Sequence, residues 1–213
     1  ELDAIVLEGR RDDSIGVVGG VVKLDQDFTS ESLSELLHSD DYSVLHVATH
    51  FVFRPGTVDD SYMVLGEGQR LSLNDLRLGD FPFFGLDLIA LSACDTALGV
   101  RNANGREMEG FGALAQSRGA ASVLATLWPV SDLSTSYLMV RFYSLRETEG
   151  ATKADSLRRA QLDFLRSSGE GKPEQLDFSI IGLPKHEQRN PPDVNLLRHP
   201  YFWAPFILMG DWL

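Results

Sequence analysis

Cysteine is nearly absent from this sequence, which contains only Cys94. A single thiol cannot form an internal disulfide framework, and it cannot build a metal site that needs several cysteines. Composition alone leaves three roles open for Cys94: a small core residue, a free thiol or a nucleophile. The sequence around Cys94 is the evidence that can distinguish these three roles.

Long apolar runs are also lacking. No run reaches the roughly 18 residues that a membrane-spanning helix needs. The N-terminal ELDAIVLEGRRDD lacks the basic and then apolar order of a secretion signal. We therefore expect a cytoplasmic protein that does not contact a membrane. Because the sequence begins at Glu1 without a methionine, we also expect it to be part of a longer protein.

Basic residues are scarce relative to acidic ones. The chain of 213 residues has 19 Lys and Arg against 31 Asp and Glu, which gives a net charge of −12. This charge repels polyphosphate, so we expect no nucleic-acid partner. A basic peptide would be attracted instead.

Segments of strand type and helix type alternate along the chain. Apolar runs of strand type, bounded by Gly, Pro, Asp or Asn, cover 4–7, 17–24, 44–48, 86–91, 122–127 and 202–208. Helical spacing covers about 30–38 after an N-cap at Thr29, 106–120 with Gly119 as a stop, 133–147 after Ser131 or Asp132, and 153–168. The alternation predicts an α/β fold, a three-layer sandwich whose mostly parallel central sheet has helices on both faces.

The length and the pattern favour one domain over residues 1–213. Residues 1–20 are interpreted as a lead-in strand. Residues 167–200 are rich in Gly, Pro and charge and show little periodicity, so a long surface excursion is predicted there.

A histidine and the cysteine each follow a predicted strand. His50 comes after the run at 44–48, and Cys94 comes after the run at 86–91. Ligand sites of parallel α/β sheets lie beyond the carboxyl ends of the strands. A thiol at neutral pH needs a partner to take its proton, and histidine titrates near neutrality. The pair fits nucleophilic chemistry, but a buried Cys94 and a His50 that is only a loop residue remain an open alternative.

No metal or cofactor site is predicted. His46 and His50 are four residues apart, as in the zinc motif HExxH, but on a strand their Cα atoms would be about 13 Å apart, too far for one ion. His46 is therefore predicted to be a core histidine that forms a hydrogen bond within the sheet. The glycine-rich stretch after Cys94 lacks the Lys-Ser/Thr of a phosphate-binding loop.

Several motifs together resemble one family. In chain order they are HVATH at 46–50, LSACDTALG at 91–99, EGFGALA at 109–115, ATLWPVSD at 125–132, RFY at 141–143 and HPYFWAPFILMGDW at 199–212. This combination resembles the CHAT family, caspase-like domains usually found at the C-terminal end of proteins with TPR repeats. The resemblance implies a caspase-like fold of the clan CD cysteine peptidases. It also implies a protein or peptide substrate, an upstream TPR region and a bacterial host protein.

The resemblance also assigns roles to residues. The histidine of the family's ATH falls on His50 and the cysteine of its SAC falls on Cys94, which implies a catalytic His/Cys dyad. The oxyanion would be held by the backbone amides of Cys94 and Phe51. Carboxylates in the specificity pocket would select Arg or Lys, and Asp95 and Asp132 are the candidates. Each of them also fits a helix cap or a solvated surface acid, and Asp132 fits the cap better than the pocket.

Phe51 leads to the competing interpretation. Family members commonly have glycine at this position, and glycine allows a close backbone approach and positive φ, both of which phenylalanine restricts. A catalytically inactive caspase-like domain that acts as a protein–protein interaction module is therefore the alternative to a peptidase.

Overall fold

The computed structural model describes residues 1–7, 16–52, 60–92, 106–166, 181 and 194–213. The chain divides into two compact units. The helical unit comprises Glu1–Val22, Val130–Phe206 and Trp212–Leu213, and the sheet unit comprises Lys23–Pro129 and Ile207–Asp211. The prediction of a single domain over residues 1–213 stays a prediction.

Helices and strands alternate along most of the described chain. The helices are α1 Leu2–Ile5, α2 Ser30–Leu37, α3 Leu73–Leu78, α4 Arg106–Ser117, α5 Asp132–Glu149, α6 Lys153–Arg166 and α7 Val194–Leu197. The strands are β1 Val6–Leu7, β2 Val18–Gly19, β3 Val44–Val47, β4 Phe51–Val52, β5 Tyr62–Val64, β6 Arg70–Ser72, β7 Leu88–Leu91, β8 Ser122–Thr126 and β9 Phe206–Gly210.

Within the described residues, the main sheet has four strands in the order β3-β7-β8-β9. β3, β7 and β8 run parallel, with Val47 opposite Leu91 and Ala90 opposite Leu124. The end of β9 lies beside the start of β8, where the Asp211 N–H donates to the Ala121 carbonyl, so β9 is antiparallel. Helices flank the sheets, which confirms the predicted α/β fold, and the main sheet is mixed rather than purely parallel.

The core of the sheet unit lies on one face of this sheet. Side chains of β7 and β8 that point to this face, such as Ile89 and Val123, pack with Leu33 of α2 and Phe111 of α4. The side chains that alternate with them, Leu88, Ala90 and Leu124, are also fully buried. Strands buried on both faces are typical of sheets in α/β proteins.

A second, antiparallel sheet of β4, β5 and β6 was not predicted from the sequence. Phe51 pairs with Met63, and Met63 pairs with Leu71 on the other side. These strands are too short for a clear alternation of apolar and polar residues. α3 follows directly and begins with a capping box, because Ser72 and Asp75 each bond the backbone N–H of the other.

Three predicted strands differ from the structure at their ends. Residues 4–7 begin with α1, because Ala4 and Ile5 are buried in the helical unit where α1 packs against α5, and so short an apolar run does not distinguish a helix from a strand. Of residues 17–24 only Val18–Gly19 forms a strand, since glycine gives little side-chain packing. The run at 202–208 becomes a strand only after Pro205, which lacks a backbone donor.

The predicted helices agree closely with the structure. α2, α4, α5 and α6 lie over the four predicted segments, and Thr29 and Ser131 are the N-caps. Gly119 has φ +110 and follows the end of α4. The predicted excursion at 167–200 lies outside the described residues except for residue 181 and 194–200. No helix in the described part of the chain is long and apolar enough to cross a membrane.

Candidate active site

The parallel pairing of β3 with β7 defines one end of the main sheet. Val47, the last residue of β3, lies opposite Leu91, the last residue of β7. The Ser92 N–H then donates to the Val47 carbonyl at 3.1 Å, so the segments that follow β3 and β7 leave the sheet side by side. His50 follows β3 at this end. Cys94 and Asp95, the other predicted site residues of this edge, lie outside the described residues.

His50 is exposed and is held by its backbone. The Val64 N–H donates to the His50 carbonyl at 2.9 Å, and the Thr49 hydroxyl donates to the Val64 carbonyl at 2.6 Å. β5 therefore fixes the backbone of His50 from outside the main sheet. The imidazole faces solvent while its attachment point is fixed by two hydrogen bonds of the segment, an arrangement that suits a group that must meet a substrate.

The side chain of Phe51 points into the core, whereas His50 is exposed. The Phe51 side chain is 0% exposed, and its ring meets that of Phe111 edge to face, with the ring centroids 5.6 Å apart. Successive side chains of an extended segment point to opposite faces, so the buried Phe51 ring lies on the side opposite to the exposed His50. Phe51 is in extended β4 and is not among the residues with positive φ.

The backbone amide of Phe51 also has a defined direction. Because the Val64 N–H donates to the His50 carbonyl, Phe51 and Met63 form a pair that exchanges no hydrogen bonds with each other. In such a pair the N–H groups point away from the partner strand. The Phe51 N–H therefore points away from β5.

His46 lies within β3, and its ring forms a hydrogen bond inside the sheet. His46 Nε2 is 3.2 Å from Ser92 Oγ, which directly follows the neighbouring strand β7. This confirms the predicted hydrogen bond, but His46 is only half-buried rather than a core residue. Ser92 is not among the site residues predicted from the sequence. Its position directly before Ala-Cys was the available signal, yet its partner is 46 residues away in the sequence.

Asp132 is the first residue of α5, in the helical unit, and it is exposed. The N-cap of this helix is Ser131, whose hydroxyl accepts from the Ser134 N–H at 3.4 Å. Asp132 is therefore not the cap, and its role in a specificity pocket stays a prediction. Among the residues that the structure describes, no group of three or more His, Cys, Asp or Glu could hold a metal ion.

Comparison with protein families gives one match that spans nearly the whole chain. The model of the CHAT domain family matches residues 4–211. No curated protein matches the chain at a significant level.

Proposed function

The chain belongs to the CHAT domain family, a family of caspase-like domains, and on this premise we propose that it is a cysteine endopeptidase. Cys94 is the proposed nucleophile and His50 the proposed general base and acid. The substrate is a protein or peptide, cleaved in the cytoplasm by a domain of a larger bacterial protein that carries TPR repeats.

One observation carries this proposal: the parallel register that ends β3 and β7 side by side. Cys94 is two residues beyond Ser92 in the sequence. His50 is three residues beyond Val47, whose carbonyl accepts from the Ser92 N–H. Both reactive side chains therefore belong to segments that leave the sheet at one point.

The proposed reaction needs His50 to accept and return a proton in each of its two halves, the formation of a thioester and its hydrolysis. His50 takes the proton of the Cys94 thiol, and the thiolate sulfur attacks the peptide carbonyl carbon. The tetrahedral oxyanion then collapses, the C–N bond breaks, and His50 returns the proton to the leaving amine. His50 then takes a proton from a water molecule, whose oxygen attacks the thioester carbon. The C–S bond breaks, the carboxylic acid product leaves, and His50 returns the proton to the Cys94 thiolate.

The oxyanion requires backbone donors, and the proposed donors are the amides of Phe51 and Cys94. The direction of the Phe51 N–H away from β5 supports this role for Phe51. The burial of its side chain supports it as well, because the ring occupies the core instead of the substrate side. Asp95 and Asp132 are the proposed carboxylates that select Arg or Lys at the first position of the substrate.

A second candidate is an inactive caspase-like domain that binds a partner protein. The observation that favours it is Phe51 itself, which stands where the family commonly has glycine. Peptidase and binding module differ in the reactivity of Cys94, since only a peptidase requires an activated thiol.

The test is labelling of Cys94 by a peptide that has Arg at its C-terminal end and carries a thiol-reactive ketone. We expect native protein to react faster than urea-denatured protein at pH 7, and His50→Ala to lower the native rate by about 10²–10⁴-fold. Cys94→Ser should abolish labelling. His38→Ala, which removes another exposed histidine of the sheet unit, is the matched control and should leave the rate unchanged.

Equal rates for native and denatured protein, together with an unchanged rate in His50→Ala, would reject the peptidase and favour the binding module. A labelling preference for apolar residues in place of Arg would leave the dyad in place. It would remove Asp95 and Asp132 from the specificity pocket.

A further inference from the structure

We propose that His46 and Ser92 are positioning residues of this site, and this inference rests on the proposed function. Their hydrogen bond fixes the distance between the carboxyl ends of β3 and β7. It thereby sets where the segments that carry His50 and Cys94 begin. Neither side chain touches the substrate.

The register places the two side chains together. His46 lies opposite Ala90 on β7, and Ser92 is two residues further along, so both side chains are on the same face of the sheet. His46 Nε2 is 3.2 Å from Ser92 Oγ. Ser92 is 9% exposed and His46 is half-buried, so water competes only weakly for the hydrogen bond.

Ser92 is held to β3 twice. Its backbone N–H donates to the Val47 carbonyl at 3.1 Å, and its side chain bonds His46. A residue that is held at both its backbone and its side chain has little freedom to rotate. Ser92 is the last described residue before Cys94, which is two residues further along the sequence.

A corresponding bond holds the other segment. Thr49, directly before His50, donates its hydroxyl to the Val64 carbonyl at 2.6 Å. The Thr49 side chain thus fixes the backbone directly before His50, and the Ser92 side chain fixes the backbone two residues before Cys94. Misplacement of a reacting group by about 1 Å costs about 100-fold in rate, so fixed strand ends are a requirement of the proposed dyad.

The experiment uses Ser92→Ala, Ser92→Thr and His46→Asn in the full chain. The control is Ser122→Ala, because Ser122 is also a buried serine of the sheet unit and its hydroxyl donates to the Asp87 carbonyl. Ser122 begins β8, so it lies at the opposite end of the parallel strands. The readout is the pH dependence of Cys94 alkylation by iodoacetamide, with urea unfolding measured in parallel.

We expect Ser92→Ala to slow alkylation at pH 7 by about tenfold and to move the pH midpoint towards about 8.5, the value of a free cysteine. His46→Asn should do the same if the bond is the cause, and Ser92→Thr, which keeps the hydroxyl, should restore the profile of the native sequence. Ser122→Ala should lower stability without moving the midpoint. This difference separates positioning from a general loss of stability.

The inference is overturned if Ser92→Ala and His46→Asn both titrate as the native sequence does while His50→Ala shifts the profile, because the dyad would then exist without the positioning pair. If His50→Ala also leaves the profile unchanged, the proposed function fails together with the inference. A midpoint shift of equal size in Ser122→Ala would likewise reject a specific role for His46 and Ser92.

Discussion

Replacing Phe51 by the glycine that is common in the family should damage this protein rather than improve it. The Phe51 side chain is 0% exposed and packs edge to face on Phe111, which is 1% exposed. Phe→Ala changes in cores cost about 3–5 kcal/mol. Glycine in a strand adds about 0.5–1 kcal/mol. We therefore expect Phe51→Ala to cost about 3–5 kcal/mol and Phe51→Gly somewhat more.

These losses are large against a total stability of about 5–15 kcal/mol. Urea unfolding followed by circular dichroism should show a midpoint lower by about 1–2.5 M for Phe51→Ala, from a slope of about 2–3 kcal/mol/M. Phe84→Ala is the matched control, because Phe84 lies in the same unit but is 71% exposed. We expect its midpoint to move by less than about a quarter of that shift.

A double-mutant cycle tests the contact itself. The change Phe111→Ala should be less costly in the Phe51→Ala background than alone, by the about 0.5–1.5 kcal/mol that an aromatic pair contributes beyond its buried area. A loss below about 1 kcal/mol for Phe51→Ala, or strictly additive losses in the cycle, would refute the packing of Phe51 against α4. The placement of the Phe51 ring on the side opposite to His50 would then be refuted as well.

Two further predictions concern helix α2. The Thr29 hydroxyl accepts from the Ser32 N–H at 3.0 Å, so Thr29→Ala should cost about 0.5–2 kcal/mol in urea unfolding, while Thr29→Ser, which keeps the cap, should cost much less. The pKa of His38 is raised, first by its hydrogen bond to the Ser34 carbonyl and then by the Asp80 carboxylate. The charged imidazole therefore stabilises the fold below about pH 6.5, and this contribution is lost as the pH rises through the folded-state pKa. His38→Gln should lower the urea midpoint more at pH 5 than at pH 8.5, and an equal effect at both pH values would contradict this account.

The parts of the fold that the sequence predicted well are those with strong local signals. Thr29 caps α2 through its own side chain, and Gly119 ends α4 with φ +110, so both ends depend on residues within one helical turn. β7 is a continuous apolar run and β8 has the apolar centre Val123–Ala125, and both strands are buried along their whole length, a pattern that the order of residues reveals directly.

The small sheet and α1 could not be predicted in this way. β4 has two residues, and its place is set by pairing with β5 across 53–59, which no local period encodes. α1 is a single turn whose apolar residues fit a strand equally well. α3 is different, because the spacing of Ser72 and Asp75 is that of a capping box, a start signal that the sequence itself contains.

In the candidate site, too, features with a local sequence signal were predictable and features that depend on strand pairing were not. His50 was predicted from its place after an apolar run, and it lies after the end of β3 as an exposed residue. The pairing of His46 with Ser92 depends on the register between two strands, which the sequence of either strand alone does not contain. The role of Cys94 stays a prediction that rests on the family and on the end of β7.

The anchoring on both sides of residues 93–105 has a consequence for how this part of the chain tolerates change. Before the segment, Ser92 is bonded to Val47; after it, α4 is packed through Phe111 onto Phe51. The entropy of closing a loop between fixed ends grows slowly with length, and doubling the length costs only about 0.6 kcal/mol. We therefore expect the sheet and α4 to tolerate insertions between Ser92 and Arg106, so that the number of residues that join them can vary while the sheet stays intact.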